Sequence, residues 1–132
     1  MNLLLDTHVF LWAMMDTEKL SALAKYELQN PENTASISAI SFWEIGMKHS
    51  LGKLELLGFL PSALPEIASR KMGFKLLGLD VETASRFGDI PKLHGDPFDR
   101  MLIHQAVQTG SCLVSADRQF TQYRPHGLKL LW

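Results

Sequence analysis

The sequence predicts a three-layer α/β/α domain around a central parallel sheet of four to five strands. Three observations carry this reading. Short apolar runs alternate with segments of helical spacing, prolines and glycines fall between them, and the 132 residues suit one compact domain spanning 1–132. Strands that alternate with helices argue for a parallel sheet covered on both faces. An apolar fraction of 46% with 20% charged residues excludes disordered and fibrous classes.

Each element has a local reason. Asn2 to Leu5 is short and apolar and reads as a buried strand. Phe10, Leu11, Met14 and Met15 follow at helical spacing, and Lys19 to Asn30 carries Leu20, Leu23, Ala24 and Leu28 on one face before Pro31 stops it. Thr34 to Ile40 alternates as a second strand, and Ser41 to Leu51 is helical up to Gly52. Pro61 to Met72 reads as a helix with Gly73 as its stop, Phe74 to Leu79 as a third strand, and Val81 to Phe87 as a short helix. Pro91 to Pro97 is a loop, and Pro97 to Thr109 is a helix that turns Phe98, Met101, Leu102 and Ala106 inward and closes on Gly110. Cys112 to Ser115 is a fourth strand, a helical turn starts at Asp117, and Leu128 to Leu131 is a last edge strand.

Charge and cysteine content narrow the function classes. Lys and Arg total 13 against 14 Asp and Glu, a net charge of -1, which excludes an all-round basic coat that would bind any polyanion. Nucleic-acid binding would need local basic patches or bound cations. The single cysteine, Cys112, excludes an intrachain disulfide framework and a CxxC zinc site, and suits buried packing in a reducing cytosol. The longest apolar stretch, Val9 to Met15, is too short for a bilayer, and the first cation is Lys19, so neither a membrane span nor a signal peptide is expected.

The informative residues are Asp6, Glu44, Asp99 and Asp117. Each falls just after an expected strand or in the first turn of a helix, which in a parallel sheet is the ligand-collecting carboxyl edge. Each also has a capping explanation. Ser41-Phe42-Trp43-Glu44 fits a capping box, Asp96-Pro97-Phe98-Asp99 fits an N-cap with proline at N1 and an acid at N3, Asp117 caps a short helix, and Thr7 caps the first. Gathered together, carboxylates repel by roughly 4 kcal/mol per pair at 4 Å and an effective dielectric of about 20. A cation would offset this, and an oxygen-only donor set suits Mg²⁺ or Mn²⁺. Phosphoester hydrolysis by a metal-activated water is the chemistry so implied.

The stretches Leu3-Leu4-Leu5-Asp6-Thr7-His8, Ser41-Phe42-Trp43-Glu44-Ile45, His94-Gly95-Asp96-Pro97-Phe98-Asp99-Arg100 and Ser115-Ala116-Asp117 resemble PIN domains. More closely they resemble the VapC-type toxins of bacterial toxin–antitoxin pairs. The likeness runs over essentially the whole chain, and the D-P-F-D-R stretch is its most specific piece. It implies a Mg²⁺- or Mn²⁺-dependent endoribonuclease, a homodimer whose site a cognate antitoxin protein blocks, acting on RNA in the cytoplasm. Carried over by position, Asp6 and Asp99 are the direct metal ligands, Glu44 a third acid at the ion or its waters, and Asp117 a fourth acting through water. Thr7 and Ser115 would orient those carboxylates or touch phosphate.

Other residues carry weaker signals. Arg100 holds a substrate phosphate or steadies an acid neighbour. His94 structures the loop before the helix or serves as a ligand or base, whereas His8, His49, His104 and His126 show no ligand spacing. Lys48, Lys53, Arg70 and Lys71 form a solvated face or line an RNA groove. Trp12, Phe42 and Trp43 stack on bases or pack inside, with core or interface favoured for Phe42 and Trp43. Val9 to Met15 or Leu54 to Leu64 would supply a dimer contact. A phosphatase with Asp6 as nucleophile is disfavoured because position 8 is His8 rather than a second aspartate. The non-enzymatic alternative is a catalytically silent RNA- or partner-binding module that keeps the fold.

Overall fold

β1 (Asn2–Leu5), β2 (Thr34–Ser38), β3 (Lys75–Leu77), β4 (Cys112–Val114) and β5 (Lys129–Leu131) are the strands of a computed structural model that describes residues 1–132. They form one all-parallel sheet in the order β3-β2-β1-β4-β5. Leu5 stands opposite Ile37 on one side and Val114 on the other, so the residues that leave these three strands emerge side by side. Strand order reverses at β1, since β2 and β3 lie on one side of it and β4 and β5 on the other. In open α/β sheets a crevice forms at such a switch point, outside the carboxyl ends of the strands.

Side-chain alternation along β1 builds two cores. Leu3 and Leu5 face one way, into a cluster with Val9, Phe10, Ala24, Ile37, Ile45, Leu64 and Val114. Leu4 faces the other way, against Ile103, Ala106, Leu113, Phe120 and Tyr123. The helices α1 (Thr7–Met15), α2 (Ala22–Gln29) and α3 (Ala39–Ser50) supply the first cluster, and α6 (Pro97–Thr109) with the 3₁₀ segment Arg118–His126 supplies the second. Two shorter helices, α4 (Leu64–Glu66) and α5 (Val81–Ser85), complete the layers. Burying a leucine of this kind stabilises by about 1.5–3 kcal/mol, which makes the three leucines of β1 the anchor of both layers. No helix is long and apolar enough to cross a membrane.

Several expected boundaries move, each for a local reason. Where one helix was expected from Lys19 to Asn30, a 3₁₀ turn (Thr17–Lys19) precedes α2, which starts behind Ser21 because the Ser21 hydroxyl accepts the Ala24 N–H at 3.0 Å. The second strand stops at Ser38 instead of Ile40, because Ser38 Oγ accepts the Ile40 N–H at 3.0 Å and starts α3 two residues early. The Ser41–Glu44 capping box therefore does not form; both residues lie within the helix and turn inward. Asp6, not Thr7, caps α1. Pro61 to Met72 is not one regular helix but a 3₁₀ turn (Pro61–Ala63), α4 and a π turn (Ile67–Lys71). Pro65 has no N–H to give the Pro61 carbonyl, so an unbroken i→i−4 ladder cannot run there. The third strand shrinks to Lys75–Leu77, and α5 ends at Ser85 before a 3₁₀ turn at Phe87–Asp89. By contrast α6 spans Pro97–Thr109 as expected, capped by Asp96 and closed by Gly110 at φ +65°.

Candidate active site

Asp6 leaves β1 and is 5% exposed. Its Oδ1 accepts the Val9 N–H at 2.8 Å, which caps α1, and its Oδ2 accepts the Ser115 hydroxyl at 2.5 Å. Ser115 leaves β4, and its Oγ also accepts the Asp117 N–H at 3.1 Å. One hydroxyl thus ties the ends of β1 and β4 together across the switch point. Burial pushes the Asp6 carboxyl above its ordinary value, against the pull of the Ser115 and Val9 hydrogen bonds.

Glu44, only 2% exposed, reaches the same region from the second turn of α3. Thr7 Oγ1 donates to Glu44 Oε1 at 2.8 Å and lies 3.0 Å from Ser41 Oγ, while Lys48 Nζ stands 2.5 Å from Glu44 Oε2. The hydrogen bond to Glu44 holds the Lys48 ammonium above its ordinary value, keeping one positive charge beside the acids. Asp99 sits at N3 of α6, its N–H donated to Asp96 Oδ1 at 3.1 Å. Its own carboxyl is pushed up to about 7, first by burial and then by Asp96, Glu44, Asp6 and Asp117. Asp117 is exposed and caps the last 3₁₀ segment through the Gln119 N–H at 2.9 Å. A shallow cleft of about 250 Å³ opens between Asp6, His8, Trp12, Ala116 and Asp117.

The fold therefore brings all four acids into one electrostatic neighbourhood, with Thr7 and Ser115 as hydroxyl donors to Glu44 and Asp6. The donors are oxygens throughout, the set a hard divalent cation prefers. As the side chains stand, no three carboxylate, imidazole or thiol groups are placed to hold one ion together. Each Asp6 and Glu44 oxygen is already turned to a protein donor. A Mg²⁺-type ion needs only one or two carboxylates, with water and substrate phosphate completing its shell. The donor chemistry fits such an ion.

Arg100 faces elsewhere. It is 9% exposed, its guanidinium carbon lies 4.4 Å above the Phe87 ring, and Nη2 makes one long bond of 3.5 Å to the Ile90 carbonyl. It forms no ion pair with Asp99. Trp43, expected inside or at an interface, is 63% exposed, edge-on to Phe98 at 5.2 Å. Phe42 packs edge-on against Phe10 at the first core. The sequence alone places Lys48 in a basic set with Lys53, Arg70 and Lys71. Its spacing four residues after Glu44, the helical ion-pair spacing, is the signal that points to its contact.

The PIN domain model matches residues 3–124. The chain belongs to the PIN domain family. Over 124 residues, 93% of this chain and 92% of the relative, this PIN domain is 27% identical to Ribonuclease VapC22 of Mycobacterium tuberculosis (strain ATCC 25618 / H37Rv). Two solved structures share its fold. One is VapBC2 from Rickettsia felis bound to a DNA fragment of the promoter, at a TM-score of 0.69 and 18% identity over 99% of this chain and 98% of that one. The other is VapBC-1 from nontypeable Haemophilus influenzae, at 0.67 and 18% over 99% and 97%. The five-stranded parallel sheet with helices on both faces is the α/β/α architecture expected for a PIN domain.

Proposed function

We propose that this PIN domain is the endoribonuclease toxin of a toxin–antitoxin pair, hydrolysing RNA phosphodiesters with Mg²⁺ or Mn²⁺ at Asp6, Glu44, Asp99 and Asp117. The observation that carries the reading is the placement of buried Asp6 and Glu44, each held by a hydroxyl donor, in one neighbourhood with half-buried Asp99 and with Asp117 at the carboxyl edge of the sheet. Likeness to a ribonuclease over nearly the whole chain supports the same class. When bound, the ion supplies charge for the phosphate oxygens and an activated water. The chain's own groups hold the acids ready. Ser115 and the Val9 N–H fix Asp6, Thr7 and Lys48 fix Glu44, and the Asp96 cap fixes the turn that presents Asp99. Asp6 and Asp99 are the proposed direct ligands, with Glu44 and Asp117 at the ion's waters. The cognate antitoxin is proposed to place an Arg or Lys on these carboxylates, since an acidic recess in a nearly neutral protein suits a bidentate guanidinium. A homodimer in the cytoplasm completes the reading.

The test is cleavage of single-stranded RNA by the purified chain with Mg²⁺ or Mn²⁺, with chelator, and in Asp6→Asn. Cleavage should require the ion and Asp6, and products should carry a 5′-phosphate and a 3′-hydroxyl. A 2′-deoxy sugar at the scissile position should still be cut, because water rather than the 2′-OH attacks. A 2′,3′-cyclic phosphate with complete resistance of the deoxy substrate would defeat the mechanism. Ion binding without cleavage under either ion would instead favour the silent binding module.

A further inference from the structure

Outside the acids, one buried chain of polar groups leads into the site from the C-terminal layer. The His94 side chain is 8% exposed and packs against Phe120 and Tyr123, with ring centroids 5.8 and 5.4 Å away. Its Nδ1 lies 2.7 Å from the Tyr123 hydroxyl, and that residue is fully buried. Its Nε2 is enclosed, has no hydrogen-bond partner, and lies 3.5 Å from Asp99 Oδ2.

The contacts around the Tyr123 hydroxyl favour a proton on Nε2. The Leu93 N–H points at the Tyr123 oxygen at 3.3 Å, using it as an acceptor. The Tyr123 hydroxyl proton is then free to be donated, and the atom in reach is His94 Nδ1. A neutral imidazole that accepts at Nδ1 carries its proton on Nε2. That proton faces Asp99 Oδ2 across a gap slightly longer than a good hydrogen bond. A buried N–H without a partner is costly, and a small turn of the Asp99 carboxyl removes the cost.

We propose that His94, locked by Tyr123 and the Leu93 N–H, is a positioning residue that holds Asp99 through Oδ2 and leaves Oδ1 for the divalent ion. This rests on the reading of Asp99 as a ligand given above. Groups that hydrogen-bond a ligating carboxylate set its orientation, and their loss lowers metal affinity about 10- to 100-fold.

Two measurements on the full chain test it. In the metal-free protein, ¹⁵N NMR of the imidazole should report a proton on His94 Nε2; an Nε2 without a proton would overturn the proposal. Mn²⁺ affinity, titrated by the EPR signal of the free ion, should fall about 10- to 100-fold in His94→Phe, which keeps the aromatic packing and loses the N–H. His94→Gln, whose amide restores a donor near Nε2, should recover most of the loss, and Tyr123→Phe should show a smaller loss in the same direction. His94→Phe binding Mn²⁺ like the wild type would overturn the proposal, as would His94→Gln binding no better than His94→Phe. If His94→Phe does not fold, a wild-type affinity in Tyr123→Phe overturns it instead. Asp99→Asn separates this from the reading beneath: if the wild type does not bind Mn²⁺, or Asp99→Asn binds it equally well, the four-acid site itself fails.

Discussion

Asp99→Asn in the metal-free protein separates two roles by sign. If Asp99 matters mainly as an acid at N3 of α6, its charge favours the helix end and the substitution should cost about 0.3–1 kcal/mol. If it matters as a carboxylate pressed among other acids, the substitution should stabilise the chain. The magnitude follows from the raised carboxyl. Moving from its ordinary 3.8 to about 7 corresponds to a ceiling of about 4 kcal/mol. The side chain is 23% exposed, and its neighbours can turn towards water, so about 2 kcal/mol is expected. Because the folded chain holds the proton more tightly than the unfolded one, this group's stabilising contribution is full below about pH 4 and lost as pH rises through 7. Urea unfolding in chelator at pH 8 and pH 5 provides the assay. Asp99→Asn should gain about 2 kcal/mol over wild type at pH 8 and markedly less at pH 5. A loss of stability at pH 8, or a difference that does not change with pH, would refute the reasoning.

Other outcomes follow from the same geometry. Mg²⁺ or Mn²⁺ should raise the melting temperature by mass action, by about 2.7 kcal/mol of stability at a hundred times the dissociation constant; an equal rise in Asp6→Asn combined with Asp99→Asn would place the ion elsewhere. Thr7→Val removes the donor to a buried Glu44 oxygen and should cost about 1–3 kcal/mol in urea unfolding. Gly110→Ala forces a side chain onto a backbone at φ +65° and should cost about 1–2 kcal/mol, read by the same assay. A co-crystal structure with the antitoxin should find a basic side chain on the acids, and a partner that leaves all four open would contradict that part of the proposal.

Much of this arrangement is legible in the residues, and the gaps have physical causes. α6 is readable from end to end because Asp96-Pro97 starts it and Gly110 stops it, both by backbone constraints that no packing overrides. The start of α3 is misread because two serines compete. Ser41-x-x-Glu44 imitates a capping box, yet the helix begins where the chain leaves the sheet, at Ser38. Asp6 and Asp117 stand out from their places just past strands, whereas Glu44 in the second turn of α3 and Asp99 at N3 of α6 reach that edge through how their helices pack. The contact of His94 with Tyr123 is invisible to spacing: 29 residues separate them, and only the docking of the last 3₁₀ segment brings them together. Trp43 reads as core or interface in the sequence because its neighbours are apolar; at 63% exposure the pitch of α3 turns it out of the core while Glu44 and Ile45 face in.

The hydroxyl that joins Ser115 to Asp6 spans 109 residues of chain, and β1 acquires one of its two neighbouring strands only when Cys112 to Val114 arrives. Contacts of such long range form late and slowly compared with local ones. During synthesis from the N-terminus, Asp6 and Glu44 are both made early, but β1 keeps an open edge and Asp6 lacks its hydroxyl donor. A chain that stalls or is cut short before β4 is left without the strand that closes the crevice, so a broken translation product should carry half of a site rather than a weakened whole one. For the nuclease proposed above, placing a closing strand so late makes competence a property of the finished molecule.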